Sequence, residues 1–278
     1  MTAQRAFVGI DAGTTGCTVM IFDENGGTLG HGYAEYPCTA PYAGWSEQDV
    51  AAVWEGICKA SKQATAAANL PADAYKSVGF SSQRGTFIPL DAEKKPIGNS
   101  IVWNCGRAAK YQAIFGQHIT PDEHQDHTGM QLSPLWSAAK IAWLRDNKKE
   151  AFDGARWFAN GQEYFLMLLG AEEWVTDPAS LTLNGMLDIK NLDWSDRILD
   201  LCGIGRERVP PVGIPSGVAG KVSKAAEEAT GIPEGTVLCR GAGDQQCAAI
   251  GAGVIEQGMA EFTVGTSGVM VGHLDSLA

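Results

Sequence analysis

Two segments near opposite ends of this chain share one local plan, and together they restrict the fold more than anything else in it. Phe7 to Ile21 reads FVGIDAGTTGCTVMI, a short apolar strand that runs into an acidic, glycine-rich turn. Thr236 to Gly253 reads TVLCRGAGDQQCAAIGAG, again a strand and a glycine turn, with Asp244 opening a helix of small residues. Glycine lets backbone N–H groups approach an anion, and a carboxylate at such a turn can hold a cation or take a proton beside it. If both turns serve one site, Asp11 and Asp244 must converge across one crevice.

The intervening sequence supplies a scaffold for that convergence. AFVGID, TVMIFD and LGHGYAEYP, separated by GTTG and ENGG, predict an antiparallel β-meander over residues 6–36. An amphipathic helix is predicted over 45–69, opened by Ser46 and Glu47, with Val50, Val53, Trp54, Ile57 and Cys58 at helical spacing. YKSVGFSSQ reads as a strand, and TFIPLDAEKKPIGNSIVW as a hairpin turning around Lys94 to Pro96. Further helices are predicted at 135–147, 161–170 and 195–202. TDPASLTLNGMLDIKNLDWS reads as loop and strand, and VPPVGIPSGVAGKV as a proline-glycine stretch that breaks regular structure. That order implies an α/β architecture, a mixed sheet with helices packed on its faces.

Composition narrows the partners. A formal net charge of −11 over 278 residues opposes a polyanion surface, so nucleic acid is disfavoured. The seven cysteines are scattered without a C-x-x-C pair, which fits reduced thiols in a cytoplasmic protein. A first strand that begins almost at once leaves no room for a secretory leader, and no apolar run is long enough to span a bilayer. The last apolar run, VMVGHL, starts a strand whose pairing partner is expected further on, in a longer parent protein.

Several side chains stand where chemistry is possible. In Asp11-Ala12-Gly13-Thr14-Thr15-Gly16 the acid can serve magnesium and the glycines and threonines can serve phosphate, although a hairpin turn alone would also use these residues. Asp244 reads either as a general base or as an ordinary helix cap. Gln83-Arg84-Gly85-Thr86 and Trp103-Asn104-Cys105-Gly106-Arg107 each follow a strand, where ligands of α/β sheets commonly bind. Other motifs carry less. GAGDQQ lacks the last glycine of a dinucleotide fingerprint, and Gly220-Lys221 lacks P-loop spacing. His118, His124 and His127 match no zinc spacing, and HITPDEHQDH reads as a solvated acidic loop.

Taken in order, DAGTTG, GWSEQD (44–49), WNCGR (103–107), Thr176-Asp177, LDWSDRIL and GAGDQQCAAIGAG resemble the FGGY carbohydrate kinases, with xylulokinases and glycerol kinases the nearest in pattern. The resemblance spans residues 7–272 and implies an actin-like ATPase (ribonuclease H-like) fold that phosphorylates a sugar or polyol hydroxyl from ATP and Mg2+. It implies a sugar-binding domain over 1–240 and the start of a nucleotide-binding domain over 241–278, with the second domain largely missing and the fragment inactive alone. By the same resemblance Asp11 serves the metal, Gly13, Thr14 and Thr15 one phosphate loop, Gly265, Thr266 and Ser267 a second, and Asp244 the base. Arg84, Gly85, Trp103 and Gln245 face the substrate. The pattern departs at Gly85, where glycerol kinases carry an acid and xylulokinases a histidine, and at Cys105, where most of the resembled kinases carry an aspartate. The choice between pentulose and polyol therefore stays open, as does a non-catalytic sugar- or nucleotide-binding module of the same fold. Oligomeric state is not legible in the sequence, and a homodimer stays open.

Overall fold

The computed structural model describes residues 5–264 and 268–276. The meander forms as predicted: β1 (Ala6–Ala12), β2 (Gly16–Phe22) and β3 (Thr28–Glu35) pair antiparallel in sequence. A two-residue strand β4 (Glu47–Gln48) then leads into α1 (Val50–Ala68). Helix α1 starts later than Ser46 because Asp49 is its cap, accepting from the Ala51 N–H, while Glu47 and Gln48 are extended and paired to another strand. The next strands are β5 (Tyr75–Ser82), β6 (Phe87–Leu90) and β7 (Ser100–Ile101), and the predicted hairpin turn is tightened by Lys94 in the left-handed region.

Helices follow in a run: α2 (Tyr111–Phe115), α3 (Pro121–Thr128), α4 (Ser137–Asn147) and α5 (Lys149–Gly154). Strand β8 (Trp157–Asn160) leads into α6 (Gly161–Leu169), and α7 (Pro178–Leu181) is a single turn. The small ladder of β9 (Leu187–Asp188) and β10 (Asp193–Trp194) precedes α8 (Asp196–Cys202). The chain then forms β11 (Val218–Lys221), α9 (Lys224–Thr230), β12 (Val237–Gly243), α10 (Asp244–Gly251) and the hairpin β13 (Ala260–Val264) and β14 (Gly268–Gly272).

The main sheet has the order β11-β12-β5-β1-β2-β3, with β5 parallel to both β1 and β12. It is the mixed sheet expected from the element order. Val8, Ile10, Val19, Ile21, Phe80 and Leu238 pack with Val53 and Ile57 of α1 and Phe165 and Leu166 of α6 in one core. Burial alternates along β1, so Asp11 and Gly9 face away from that core. A second core gathers Phe87, Tyr111, Ile141, Phe158 and Ile198 around the smaller sheet β4-β7-β6-β8. Residues 82–87 run from one core to the other and carry Arg84 and Gly85.

Three segments differ from the sequence reading. Residues 118–127 are not a loop: Thr120 accepts from the Glu123 N–H, Glu123 accepts from the Thr120 N–H, and Pro121 stands at the first helical position, so α3 is closed by a complete capping box. His124 is buried in α3 with Nδ1 donating to the Met130 carbonyl at 2.7 Å, and His127 meets Ser195 Oγ at 2.6 Å. The proline-glycine stretch contains β11, which gains regular structure by pairing antiparallel with β12 as an edge strand. In 176–195, Asp177 caps α7 through the Ser180 N–H. The 240/241 junction falls within β12, which pairs with β5 on both sides of it. All seven cysteines are free thiols. Among the described residues no helix is long and apolar enough to cross a membrane.

Candidate active site

The parallel register of the central strands brings the two ends of the chain together. Asp11 pairs across with Ser81 of β5, and Ala242 and Gly243 of β12 pair with Ser81 and Ser82 from the other side. Asp11 and Asp244 therefore leave neighbouring strand ends on either side of β5, at the carboxyl edge where a parallel sheet opens. Ser81 Oγ donates to Asp11 Oδ1 at 2.7 Å and fixes that carboxylate, whose surroundings are exposed. A cavity of about 410 Å³ opens beside it, lined in part by Thr18, Ser81, Gly241 and Cys247.

Asp244 occupies the first position of α10, with Gly243 as its cap, so it is not itself the helix cap. Its Oδ1 accepts from the Gln245 N–H at 2.8 Å and lies 3.6 Å from Arg84 Nε. Burial raises its pKa above the ordinary aspartate value and the nearby Asp11 charge adds to the rise, while the Gln245 N–H and Arg84 pull the other way. A carboxylate with raised basicity that is still fixed by donors suits proton abstraction.

Arg84 is the hub. Only 6% exposed, it donates to Thr182 Oγ1 at 2.6 Å and to Gln245 Oε1, and pairs with Asp244. Gly243 makes this approach possible, because a Cβ there would stand 2.0 Å from Arg84 Cδ. Gly85 has φ +69°, and a Cβ there would meet Leu183 O at 3.1 Å and Trp103 Cβ at 3.3 Å. A side chain at this position of the chain would therefore be strained by both the left-handed backbone and the tight space.

Trp103 is 40% exposed, with its indole N–H donating to Thr14 Oγ1 at 3.0 Å. Thr14 in turn donates to Gln83 Oε1 at 3.1 Å, Gln83 Nε2 donates to Gln48 Oε1 at 2.7 Å, and Gln48 Nε2 donates back to the Thr14 carbonyl. The Thr14 hydroxyl proton is committed to Gln83, so this loop has backbone N–H groups and the exposed Thr15 to offer an anion. The Gly13 N–H is taken by the Gly16 carbonyl at 3.0 Å. Gly265, Thr266 and Ser267 lie outside the described residues.

Cys105 is fully buried, with its sulfur accepting from the Ser46 N–H at 3.2 Å and from Arg107 Nε at 3.0 Å. Arg107 lies over the Trp45 ring and pairs with Glu47 at 2.7 Å, so both side chains brace the loop from behind. Sequence reading missed Thr182, Ser81, Gln48 and Gln83. The last two sit inside GWSEQD and QRGT, while Thr182 carries no local signal at all. Among the described residues no cluster of three or more metal-ligating acids, histidines or cysteines occurs. The exposed Asp11 carboxylate suits magnesium, which keeps several waters and is held by one or two carboxylates together with substrate phosphates.

The profile of the N-terminal domain of the FGGY family of carbohydrate kinases matches residues 6–251. A glycerol kinase from Thermococcus onnurineus (strain NA1) is 31% identical over 274 residues, 97% of this chain and 54% of the relative. The crystal structure of gluconate kinase from Lactobacillus acidophilus superposes with a TM-score of 0.89 at 25% identity, covering 96% of this chain and 54% of that one. Ligand-bound xylulose kinase from the same organism superposes with a TM-score of 0.88 at 25% identity and the same coverages. This chain spans about half the length of the relatives it matches, and its fold is the actin-like ATPase fold they share.

Proposed function

Because this chain belongs to the FGGY family of carbohydrate kinases, we propose that it forms the substrate-binding half of a kinase that transfers a phosphoryl group from ATP to a hydroxyl of a sugar or polyol. The convergence of Asp11 and Asp244 on either side of Ser81 carries this reading. Asp244 takes the proton of the attacking hydroxyl, and its raised pKa matches that task. Arg84 and Gln245, already bonded to each other beside Asp244, hold the substrate hydroxyls, and the exposed ring of Trp103 covers an apolar sugar face.

Asp11 faces the nucleotide side with Gly13, Thr14 and Thr15, and Gly265, Thr266 and Ser267 supply the second phosphate loop. Mg2+ bound with the nucleotide at Asp11 supplies neutralisation of phosphate charge. Phosphoryl transfer needs little covalent work from protein, so positioning and electrostatics account for most of the rate. Residues 241–278 would begin the nucleotide-binding region, and closure over the cleft by the remainder of the protein would exclude water, so this chain alone is expected to turn over poorly.

Neither departure from the family pattern offers a side-chain contact to substrate: Gly85 has only its backbone to present there, and the Cys105 sulfur is buried among protein donors. Discrimination between polyol and ketose then falls to Arg84, Trp103 and Gln245. A coupled ADP-release assay on the full-length protein, offered glycerol, other polyols and pentuloses, tests the reading. Hydrolysis of ATP that ignores every acceptor would reject it in favour of an ATPase of the same fold.

A further inference from the structure

Lys140 of α4 is fully buried, and no carboxylate pairs with it among the described residues. Its Nζ instead donates to three backbone carbonyls, Trp103 O at 2.7 Å, Val102 O at 2.9 Å and Gly85 O at 3.4 Å. Those carbonyls belong to the two loops that carry Arg84 and Trp103. An ammonium has three N–H donors and no acceptor, so each proton is matched to one carbonyl. A buried cation is costly and is retained only where its donors are fully used.

We propose that Lys140 is a positioning residue for substrate, a buried staple that holds the Arg84–Gly85 loop at a fixed distance from Trp103. It touches neither substrate nor nucleotide; it fixes the two walls between which a polyol or sugar sits. The proposal rests on the kinase reading above, and adds a residue and a pH response to it.

The chemistry of the staple gives it a signature. Burial pulls the Lys140 pKa down to about 7, opposed slightly by Cys105 and reinforced by the Arg107 charge. Cys105 and Arg107 are the titratable groups that face it from the 103–108 segment, and Arg107 is itself neutralised by Glu47 of β4. A neutral amine has two N–H donors for three carbonyls, so above that pH one loop loses its tie. Substrate binding should weaken as pH rises through about 7.

The test is equilibrium binding of glycerol and of xylulose by calorimetry, with the full-length protein, from about pH 6 to pH 8.5, for wild type, Lys140→Met and Lys140→Arg. Expected are a wild-type affinity that falls across this range, a Lys140→Met affinity about ten-fold or more weaker at pH 6, as befits loss of charge-assisted hydrogen bonds, and a flat pH profile in that variant. Lys140→Arg, which stays charged, should restore part of the affinity with a flat profile. Wild-type-like affinity and pH response in a folded Lys140→Met protein overturns the staple. Should Lys140→Met not fold, Lys140→Gln, which keeps two N–H donors without the charge, is read in its place: wild-type-like affinity in that variant overturns the proposal and a loss of about ten-fold supports it. Wild-type protein that binds neither ligand nor any related polyol or ketose defeats the kinase reading itself, and the staple with it.

Discussion

Replacing Arg84 by methionine should raise the pH at which Asp244 titrates. The guanidinium lies 3.6 Å from the Asp244 carboxylate, whose side chain is 40% exposed. Arg84 is buried but the Asp244 side opens to solvent, and with an effective dielectric of about 40–80 for such a half-open pair, Coulomb attraction at that distance is worth about 1–2 kcal/mol. At roughly 1.4 kcal/mol per pH unit, losing it moves the carboxyl upward by about one unit. The sign follows from charge: without the cation the ionised form is less favoured, so the proton is held to higher pH. Because the folded-state pKa already lies above the ordinary 3.8, Asp244 opposes folding as pH rises through that interval, and the variant widens the interval. Carbon-detected NMR of the Asp244 carboxyl in this chain measures the shift directly, and the acid limb of kcat/KM in the full-length protein should move by the same amount. Thr182→Val, which removes a hydrogen bond of Arg84 but no charge, should leave the titration nearly in place. If Asp244 titrates at one pH in wild type and Arg84→Met alike, the electrostatic coupling argued here is wrong.

Asp244→Asn removes the base while keeping the shape, so turnover of the full-length protein should fall by roughly a hundred- to ten-thousand-fold with polyol affinity changed only a few-fold; near-normal turnover would reject Asp244 as the base. Gly85→Ala forces a Cβ into the left-handed region against Leu183 O, and should cost about 1–2 kcal/mol in urea unfolding; no loss would mean that the loop relaxes freely. Thr120→Ala removes half of the α3 capping box, and should lower stability by about 1 kcal/mol with faster amide exchange confined to 121–128. Unchanged exchange there would return that segment to the loop the sequence suggested.

The legible parts of this molecule were those whose signal is local. The meander, the hairpin around Lys94 and the helices at α1, α4, α6 and α8 announce themselves by alternation, helical spacing and turn residues, because those patterns repeat within a few residues. Segment 118–127 misled because its polarity resembles a loop, while the capping geometry of Thr120, Pro121 and Glu123 overrides polarity. Strand β11 was hidden for the opposite reason: its residues have weak strand preference, and pairing with β12 supplies what they lack.

The sequence by itself determined that two acidic glycine turns follow strands, and that the residues around Arg84 and Trp103 stand at strand ends. Only tertiary structure decided what those groups touch. That Thr14 commits its hydroxyl to Gln83 and that Gln245 grips Arg84 follow from strand order in the main sheet, whereas Thr182 reaches Arg84 and Lys140 ties two loops through the packing of the second core. Hydrogen bonds have a reach of about 3 Å and no memory of separation along the chain. Partners so distant in sequence leave no periodicity to read, and they become neighbours only when β5 is laid between β1 and β12 and the second core packs beside that sheet.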